Sequence, residues 1–392
     1  MKKIHVFILL FCTLTIAAQA QWTTMNSGTT DDLYAVRFSD EDNGLVCGEN
    51  GTILKTTNGG INWVIVPCST TTYLNSIAYT SATTAYIAGY DGTVLKSTDS
   101  GNSWISLNTG TFKHLTSVYF LDANTGFAAG ESGEIIKTSD AGNTWTKINS
   151  GVSDYLHSIF FTSPDTGYMT GNAGAIIKTT NAGTTWSALN SGTTVGIYSL
   201  YFTNALNGFA VTYDGNILKT SNAGTTWTSQ SLGGFLTPLT SVYFTDENNG
   251  YAVGVVGTIN HTNNGGASWV QQTSGSVEVL QAVYFTNTII GYAVGQGGTI
   301  LKTINGGVTS VKDFSDEIIN VYPNPASDAV YIGTENNIIY SVQMVTPNGQ
   351  KVMEQNNIDE QKVQLNISDI KPGLYFLEII GEQMYRKAIV VE

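Results

Sequence analysis

Arginine is almost missing from this chain. Only Arg37 and Arg386 occur in 392 residues, and lysine plus arginine number 17 against 30 aspartates and glutamates. The net charge of -13 and the pI of about 4.6 argue against nucleic-acid binding, which needs a basic face for phosphate contacts. Cysteine is nearly as scarce. Cys12 lies in the leading apolar run, leaving Cys47 and Cys68. These two could pair in an oxidising compartment, but their spacing does not decide it, and they build no disulfide framework, so stability must come from a core. The three histidines beyond the leader (His114, His157 and His261) show no metal-ligand spacing, and no G-x-S-x-G elbow occurs. Glycine-rich GYAVGQGG at 291–298 reads as strand and hairpin rather than a phosphate loop. Neither metal nor cofactor is expected.

Long apolar runs are also absent after the first twenty residues. Met1-Lys-Lys, an apolar Ile4–Ala17 and Ala18-Gln-Ala20 form a signal peptide with its cleavage site over 1–20; the run is too short to span a bilayer. No membrane-spanning segment is expected in the remainder, and a monomer is expected.

What the chain does have is a repeat. LYAVRF at 33 returns as LNSIAY at 74, LTSVYF at 115, LHSIFF at 156, IYSLYF at 197, LTSVYF at 239 and LQAVYF at 280, in steps of 41 or 42. Each copy holds four short pieces rich in β-branched and aromatic residues, in the third copy Leu115–Phe120, Gly126–Gly130, Glu134–Thr138 and Thr144–Ile148. Tight turns (ENG 49–51, YDG 90–92, ESG 131–133, YDG 213–215) separate the second and third pieces and predict two-residue hairpins with positive φ. Four antiparallel strands per ~40 residues make a propeller blade. The strands are apolar on both faces, as stacked blades require; simple alternation puts Val118 and Phe120 on one side of their strand and Leu115 and Tyr119 on the other.

A second motif stands between the third and fourth pieces: TTNGGINW (56–63), STDSGNSW (97–104), TSDAGNTW (138–145), TTNAGTTW (179–186), TSNAGTTW (220–227) and TNNGGASW (262–269). It resembles the Asp-box of bacterial neuraminidase repeats. Its residues suit a turn in which the Asp or Asn side chain accepts backbone N–H groups and Trp covers the hairpin. Only Asp99 and Asp140 keep the acid; Asn58, Asn181, Asn222, Asn264 and Asn305 replace it. The seventh copy, TINGGVTS (303–310), has Ser310 in place of Trp, and counting 41 back from Trp63 lands on Trp22. The first residues after the leader therefore supply the outer strand of the last blade and close the ring. Period and box together resemble the photosystem II stability and assembly factor family, over about Gln21 to Ser310. That resemblance implies a seven-bladed β-propeller with a binding or assembly role. Members that handle photosystem precursors are expected to carry an arginine-rich patch, whereas Arg37 is the only arginine of this propeller.

The period stops after Ser310, and 311–317 reads as a charged linker. Tyr322-Pro323-Asn324-Pro325, Pro372-Gly373-Leu-Tyr375 and the end from Lys387 to Glu392 resemble the C-terminal sorting domain of the type IX secretion system of the Bacteroidetes. The resemblance covers 318–392 and implies a small immunoglobulin-like β-sandwich read by the secretion machinery, with the protein released or held at the cell surface. Val363, Leu365 and Ile367 fall on one strand face, as a sandwich requires. The fold expected is thus all-β throughout.

Chemistry is harder to find. Sialidases grip a carboxylate with three arginines, and this propeller has one. Other Asp-box glycosidases need a carboxylate pair, and no spacing pairs any two acids here. Binding reads better. The second-to-third-strand turns and the blade-to-blade loops share one face, where the copies differ most from each other. Candidate residues there are Tyr34, Asn75, His157, Tyr198 and Gln281 at the start of the inner strands, and Glu49, Asp91, Glu131 and Asp214 in the turns. Tyr73, Phe112, Tyr155 and Phe235 lie in the adjoining loops. Such a surface suits a protein or glycan partner. A glycan-cleaving enzyme and a structural adhesin module without a defined ligand are the alternatives. At the third-strand position of Lys55, Lys96, Lys137, Lys178, Lys219 and Lys302, His261 is expected to be a solvated strand residue.

Overall fold

The computed structural model describes residues 21–232, 237–307, 319–334, 338–346, 350–356, 358–380 and 384–392. The leader at 1–20, the linker at 311–317 and Phe235 lie outside the described residues. The chain forms two compact units, one ending at Val308 and the other beginning at Thr309.

The first unit contains seven four-stranded antiparallel sheets. In the third, strands Leu115–Phe120, Gly126–Gly130, Ile135–Thr138 and Thr146–Ile148 follow one another from the inside outward. The seventh is composite. Leu280–Phe285, Gly291–Gly295 and Ile300–Thr303 are completed by Thr23–Met25, which pairs antiparallel with the third strand, Thr23 opposite Lys302 and Met25 opposite Ile300. The ring is therefore closed by a strand from the other end of the sequence, which covers the outward edge of Ile300–Thr303.

The inner strands depart from simple alternation. All seven carry a β-bulge between their first and third residues, as between Leu115 and Ser117. The extra residue reverses the parity of what precedes it. Leu115 thus shares a core with Val118 and Phe120 at the seam with the second blade, while Tyr119 packs at the seam with the fourth. The alternation expected from the sequence, with Leu115 on the side of Tyr119, is corrected by this bulge. The turns also differ from the two-residue expectation. Glu49–Gly51, Glu131–Gly133, Asn172–Gly174 and Gln296–Gly298 each form a single 3-10 turn. In the first, Gly48 N–H bonds Thr52 O at 3.0 Å, leaving three residues outside the ladder. Positive φ falls at Asn50 and Gly51, 55° and 71°, the conformation an Asn-Gly pair tolerates.

Blade seams repeat one aromatic arrangement. The last residue of an inner strand stacks on the second-strand ring of the preceding blade: Phe38 on Tyr292 at 4.2 Å, Phe120 on Tyr86 at 3.9 Å, Phe202 on Tyr168 at 4.3 Å and Phe285 on Tyr251 at 4.0 Å. The box tryptophan meets that residue edge-on, as Trp63 meets Phe38 at 5.9 Å. Trp22 does the same in the closing blade, 6.0 Å from Phe285 and 6.4 Å from Tyr251. The boxes are turns, as read. Asn58 Oδ1 accepts Asn62 N–H at 3.0 Å, and Asp99 Oδ1 accepts Ser103 N–H at 2.9 Å. Hydrogen bonds from Ser103 hold the Asp99 carboxyl down at about 2, so it stays ionised and cannot donate a proton near neutrality.

The third-strand lysines are staples between blades. Lys96 donates to Ala141 O at 2.9 Å, Lys137 to Ala182 O at 2.7 Å and Lys302 to Gly59 O at 2.6 Å, each lying over a second-strand ring. His261 is not a solvated exception. It is half-buried, stacks on Tyr251 at 4.7 Å, and burial pushes its pKa down to about 4. The bond a lysine would make here comes from Gln272, whose Nε2 reaches Gly306 O at 2.9 Å.

The second unit is a sandwich of a three-stranded sheet (Asn320–Tyr322, Ala329–Gly333, Lys362–Asn366) and a four-stranded one (Lys351–Gln355, Ser341–Val345, Gly373–Ile380, Met384–Val391). Val330, Ile332, Val363, Leu365 and Ile367 from one side meet Val342, Met344, Leu377, Ile379 and Ile389 from the other in a single core. Cys47 and Cys68 are free thiols; Cys47 Sγ donates to Leu74 O at 3.2 Å and Cys68 Sγ to Gly51 O at 3.1 Å.

Candidate functional site

One face of the propeller is built by tying each turn to the neighbouring connections. Glu49 N–H bonds Asp32 O at 2.8 Å and Gly51 N–H bonds Thr72 O at 2.9 Å; Tyr90 N–H bonds Tyr73 O at 2.8 Å, Asn172 N–H bonds Tyr155 O at 2.9 Å and Tyr213 N–H bonds Gly196 O at 3.0 Å. Glycine ends the second strand in most blades because its neighbour approaches so closely: a Cβ on Gly48 would lie 2.1 Å from Asp32 O. The loops are thereby pinned, and their side chains are held in fixed positions.

On blades 1 to 3 these side chains form a row of rings. Tyr34 meets Tyr73 edge-on at 6.1 Å, Tyr73 meets Tyr90 edge-on at 5.0 Å, and Tyr90 stacks on His114 at 4.0 Å. Carboxylates flank the row. Glu49 accepts the Tyr73 hydroxyl, raising that tyrosine's pKa, and burial beside Asp32 and Glu49 pushes Tyr34 up as well. Asp32 Oδ1 accepts Gly297 N–H at 2.9 Å. Among the described residues neither Asp32 nor Glu49 has a cationic partner within 4.0 Å. Asp91 sits at positive φ with its N–H on His114 Nδ1 at 3.2 Å and its carboxylate 3.6 Å from the same nitrogen. Glu131 takes His114 N–H at 3.2 Å and Lys113 Nζ at 3.4 Å, and these contacts hold its carboxyl below the ordinary range.

A second row crosses blades 4 and 5. His157 stacks between Tyr155 at 5.8 Å and Tyr198 at 4.7 Å, and Tyr198 meets Tyr213 at 5.9 Å. His157 Nε2 bonds Asn172 Oδ1 at 2.8 Å, and burial lowers its pKa. The candidate residues thus fall into two groups. Tyr34, Glu49, Asp91, Glu131, His157 and Tyr198 join the two rows. Asn75 and Asp214 have local tasks: Asn75 Nδ2 donates across the seam to Leu115 O at 2.9 Å, and Asp214 accepts Thr212 Oγ1 at 2.5 Å and Asn216 Nδ2 at 2.9 Å. Gln281 stands half-buried at the corresponding inner-strand place in blade 7, apart from both rows. Phe112 and Tyr73 are exposed, Phe112 at 91%. Reasoning from the sequence missed Asp32, Lys113 and the part played by His114. Their signal was present: each directly precedes an inner strand or stands one residue further back, in the connection opposite a turn.

In the second unit Tyr322, Pro323, Asn324 and Pro325 are exposed, as are Pro372 and Gly373. Asn324 ties this surface to the last strand, donating to Ala388 O at 3.1 Å and accepting Val390 N–H at 2.9 Å. Lys387 lies half-buried on that strand. Tyr375 instead belongs to the core and donates to Lys371 O at 2.8 Å.

Comparison with known proteins gives two family matches. Residues 320–392 match the secretion system C-terminal sorting domain. Residues 14–111, 104–235 and 182–273 match the photosynthesis system II assembly factor YCF48. Among solved structures, YCF48 bound to D1 peptide aligns with a TM-score of 0.64 at 18% identity, over 72% of this chain and 95% of that one. YCF48 from Cyanidioschyzon merolae aligns at 0.62 and 19% identity, over 72% and 98%. U3-55K reaches 0.63 at 10% identity, over 72% and 98%, so the likeness is one of fold. No curated protein matches the sequence.

Proposed function

The chain belongs to the photosynthesis system II assembly factor YCF48 family and ends in a secretion sorting domain, and on that premise we propose that it is a secreted or cell-surface binding propeller, exported by the type IX machinery, whose partner is a basic segment of another protein. The observation that carries the partner class is the row Tyr34–Tyr73–Tyr90–His114 flanked by Asp32 and Glu49, carboxylates without a cationic partner among the described residues. Aromatic faces attract ammonium and guanidinium groups, by ~0.5–2 kcal/mol each, and adjacent carboxylates add charge-assisted hydrogen bonds. The chain's net charge of -13 would speed encounter with a cationic partner. One solved relative is named as bound to D1 peptide; a peptide ligand on this propeller is the parallel reading.

A binding role is also supported by how the acids are engaged. Glu131 is held by donors from the facing connection and Asp214 by donors in its own loop, and the box acid Asp99 is kept ionised by its turn. A glycan partner is the second reading, favoured by the uncharged row His157–Asn172–Tyr198, where flat rings lie beside an amide. A fluorescence titration with lysine- and arginine-containing peptides, against acidic and neutral peptides and oligosaccharides, tests the assignment. Binding of basic peptides that weakens with salt and falls in Tyr73→Ala and Glu49→Gln is expected. Equal binding of acidic peptides, or saturable binding of oligosaccharides alone, would overturn it.

A further inference from the structure

The only arginine of the propeller occupies the fifth place of its inner strand, where neighbouring blades carry rings. Tyr119, Phe160, Tyr201, Tyr243 and Tyr284 hold that place in blades 3 to 7, and all are half-buried. Consecutive rings meet at 6.5, 5.1, 5.2 and 5.3 Å. The series continues into blade 1 through Arg37, whose Cζ lies 5.3 Å over the Tyr284 ring. Ala78 fills the second blade's place. Inner strands line the axis of a propeller, so these residues form a girdle around the channel, near the end opposite the face described above.

Arg37 is poorly satisfied in this girdle. A guanidinium has five N–H donors, and among the described residues Arg37 makes one hydrogen bond, to its own neighbour Val36 O at 2.9 Å. No carboxylate lies within 4.0 Å of it among the described residues. Two of the four tyrosines are turned to other tasks: Tyr243 donates to Phe285 O at 3.2 Å and Tyr284 to Phe38 O at 3.3 Å, each bonding the next blade. Among the described residues Tyr201 has no such bond, and its hydroxyl is available to donate. Burial raises the pKa of Tyr201, Tyr243 and Tyr284, and the Arg37 charge offsets part of that rise in each.

We propose that the channel binds one small oxyanion, a monovalent carboxylate or dihydrogen phosphate, held by the planar fork of Arg37 and by the Tyr201 hydroxyl. A half-buried cation with unused donors favours an acceptor that brings two oxygens in one plane. Aromatic walls strengthen the attraction by excluding water. The acidic loop beyond Arg37, with Asp40, Glu41 and Asp42, selects against a dianion. This inference does not depend on the peptide-binding face, which lies at the other end of the inner strands.

Calorimetric titration of the full chain with sodium acetate and, separately, sodium phosphate at pH 6, against chloride at matched ionic strength, tests it. One saturable site per chain is expected for at least one of the two, and the pair tells which oxyanion class the site takes. Arg37→Gln lowers the affinity ~10-fold or more, the scale of one lost charge-assisted pair, and Tyr201→Phe lowers it by a smaller factor. Should Arg37→Gln fail to fold, Tyr201→Phe and Arg37→Lys decide, both binding more weakly than the parent. Absence of saturable binding by both anions, or full affinity in the folded variants, would overturn the proposal.

Discussion

Replacing Trp22 by phenylalanine separates ring closure from ordinary core packing. Seven tryptophans occupy equivalent places, but only Trp22 has a partner for its indole N–H. Its Nε1 donates to Gln272 Oε1 at 2.9 Å in a buried contact, while Nε1 of Trp63, Trp104, Trp145, Trp186, Trp227 and Trp269 bonds no described group. Gln272 in turn donates to Gly306 O, which also accepts Tyr251 O–H at 3.0 Å. Trp22→Phe therefore removes indole atoms and strands a buried carbonyl oxygen, whereas Trp104→Phe removes only the atoms. The stranded acceptor costs ~1–3 kcal/mol, and that is the expected difference between the two variants. For a domain of this size it corresponds to roughly 2–6 °C in Tm. Trp22→Ala costs ~3–5 kcal/mol. Thermal and urea denaturation of the four proteins provides the comparison, with a Trp22→Phe/Gln272→Leu cycle to isolate the pair; a coupling of ~1–2 kcal/mol is expected. Equal melting of Trp22→Phe and Trp104→Phe, or a coupling near zero, would refute the reasoning.

Three further outcomes are expected. His261 is neutral in the folded protein because burial lowers its pKa to about 4. Folding thus favours the unprotonated form: the contribution is complete above about pH 6.5 and is lost as the pH falls from there towards 4, by ~3 kcal/mol at most. His261→Gln should flatten the stability curve between pH 7 and 5 in urea melts. Asp99→Asn should melt like the parent, since Asn58 and Asn181 serve the same turn, while Asp99→Ala should melt lower by calorimetry. Deleting 318–392 should abolish export, and Asn324→Ala, which unties the exposed Tyr322–Pro325 surface from the last strand, should reduce export with little change in melting; immunoblots of culture medium and surface fractions read both.

The architecture is legible in the order of residues alone. A phrase repeating every 41 or 42 residues can only be one supersecondary unit used seven times, and the box residues carry their turn wherever they stand because their partners lie two to four positions away. Even the closing strand was legible, since Trp22 completes a count. Tertiary structure decided what depends on neighbours far along the chain. The bulge that moves Leu115 to the side of Val118 leaves no mark in an alternating apolar pattern. His261 and the lysines it stands in for look solvated in sequence; the lysines bond the next blade, some 45 residues on, and His261 is half-buried against Tyr251. The binding face is likewise a matter of assembly. Tyr34, Tyr73, Tyr90 and His114 are spread over 81 positions and become neighbours only when the ring brings turn and connection together. Arg37 is conspicuous in the composition, but only the channel shows it among rings and without a carboxylate. Local chemistry is written in short spacing; blade-to-blade chemistry exists only once the ring has closed.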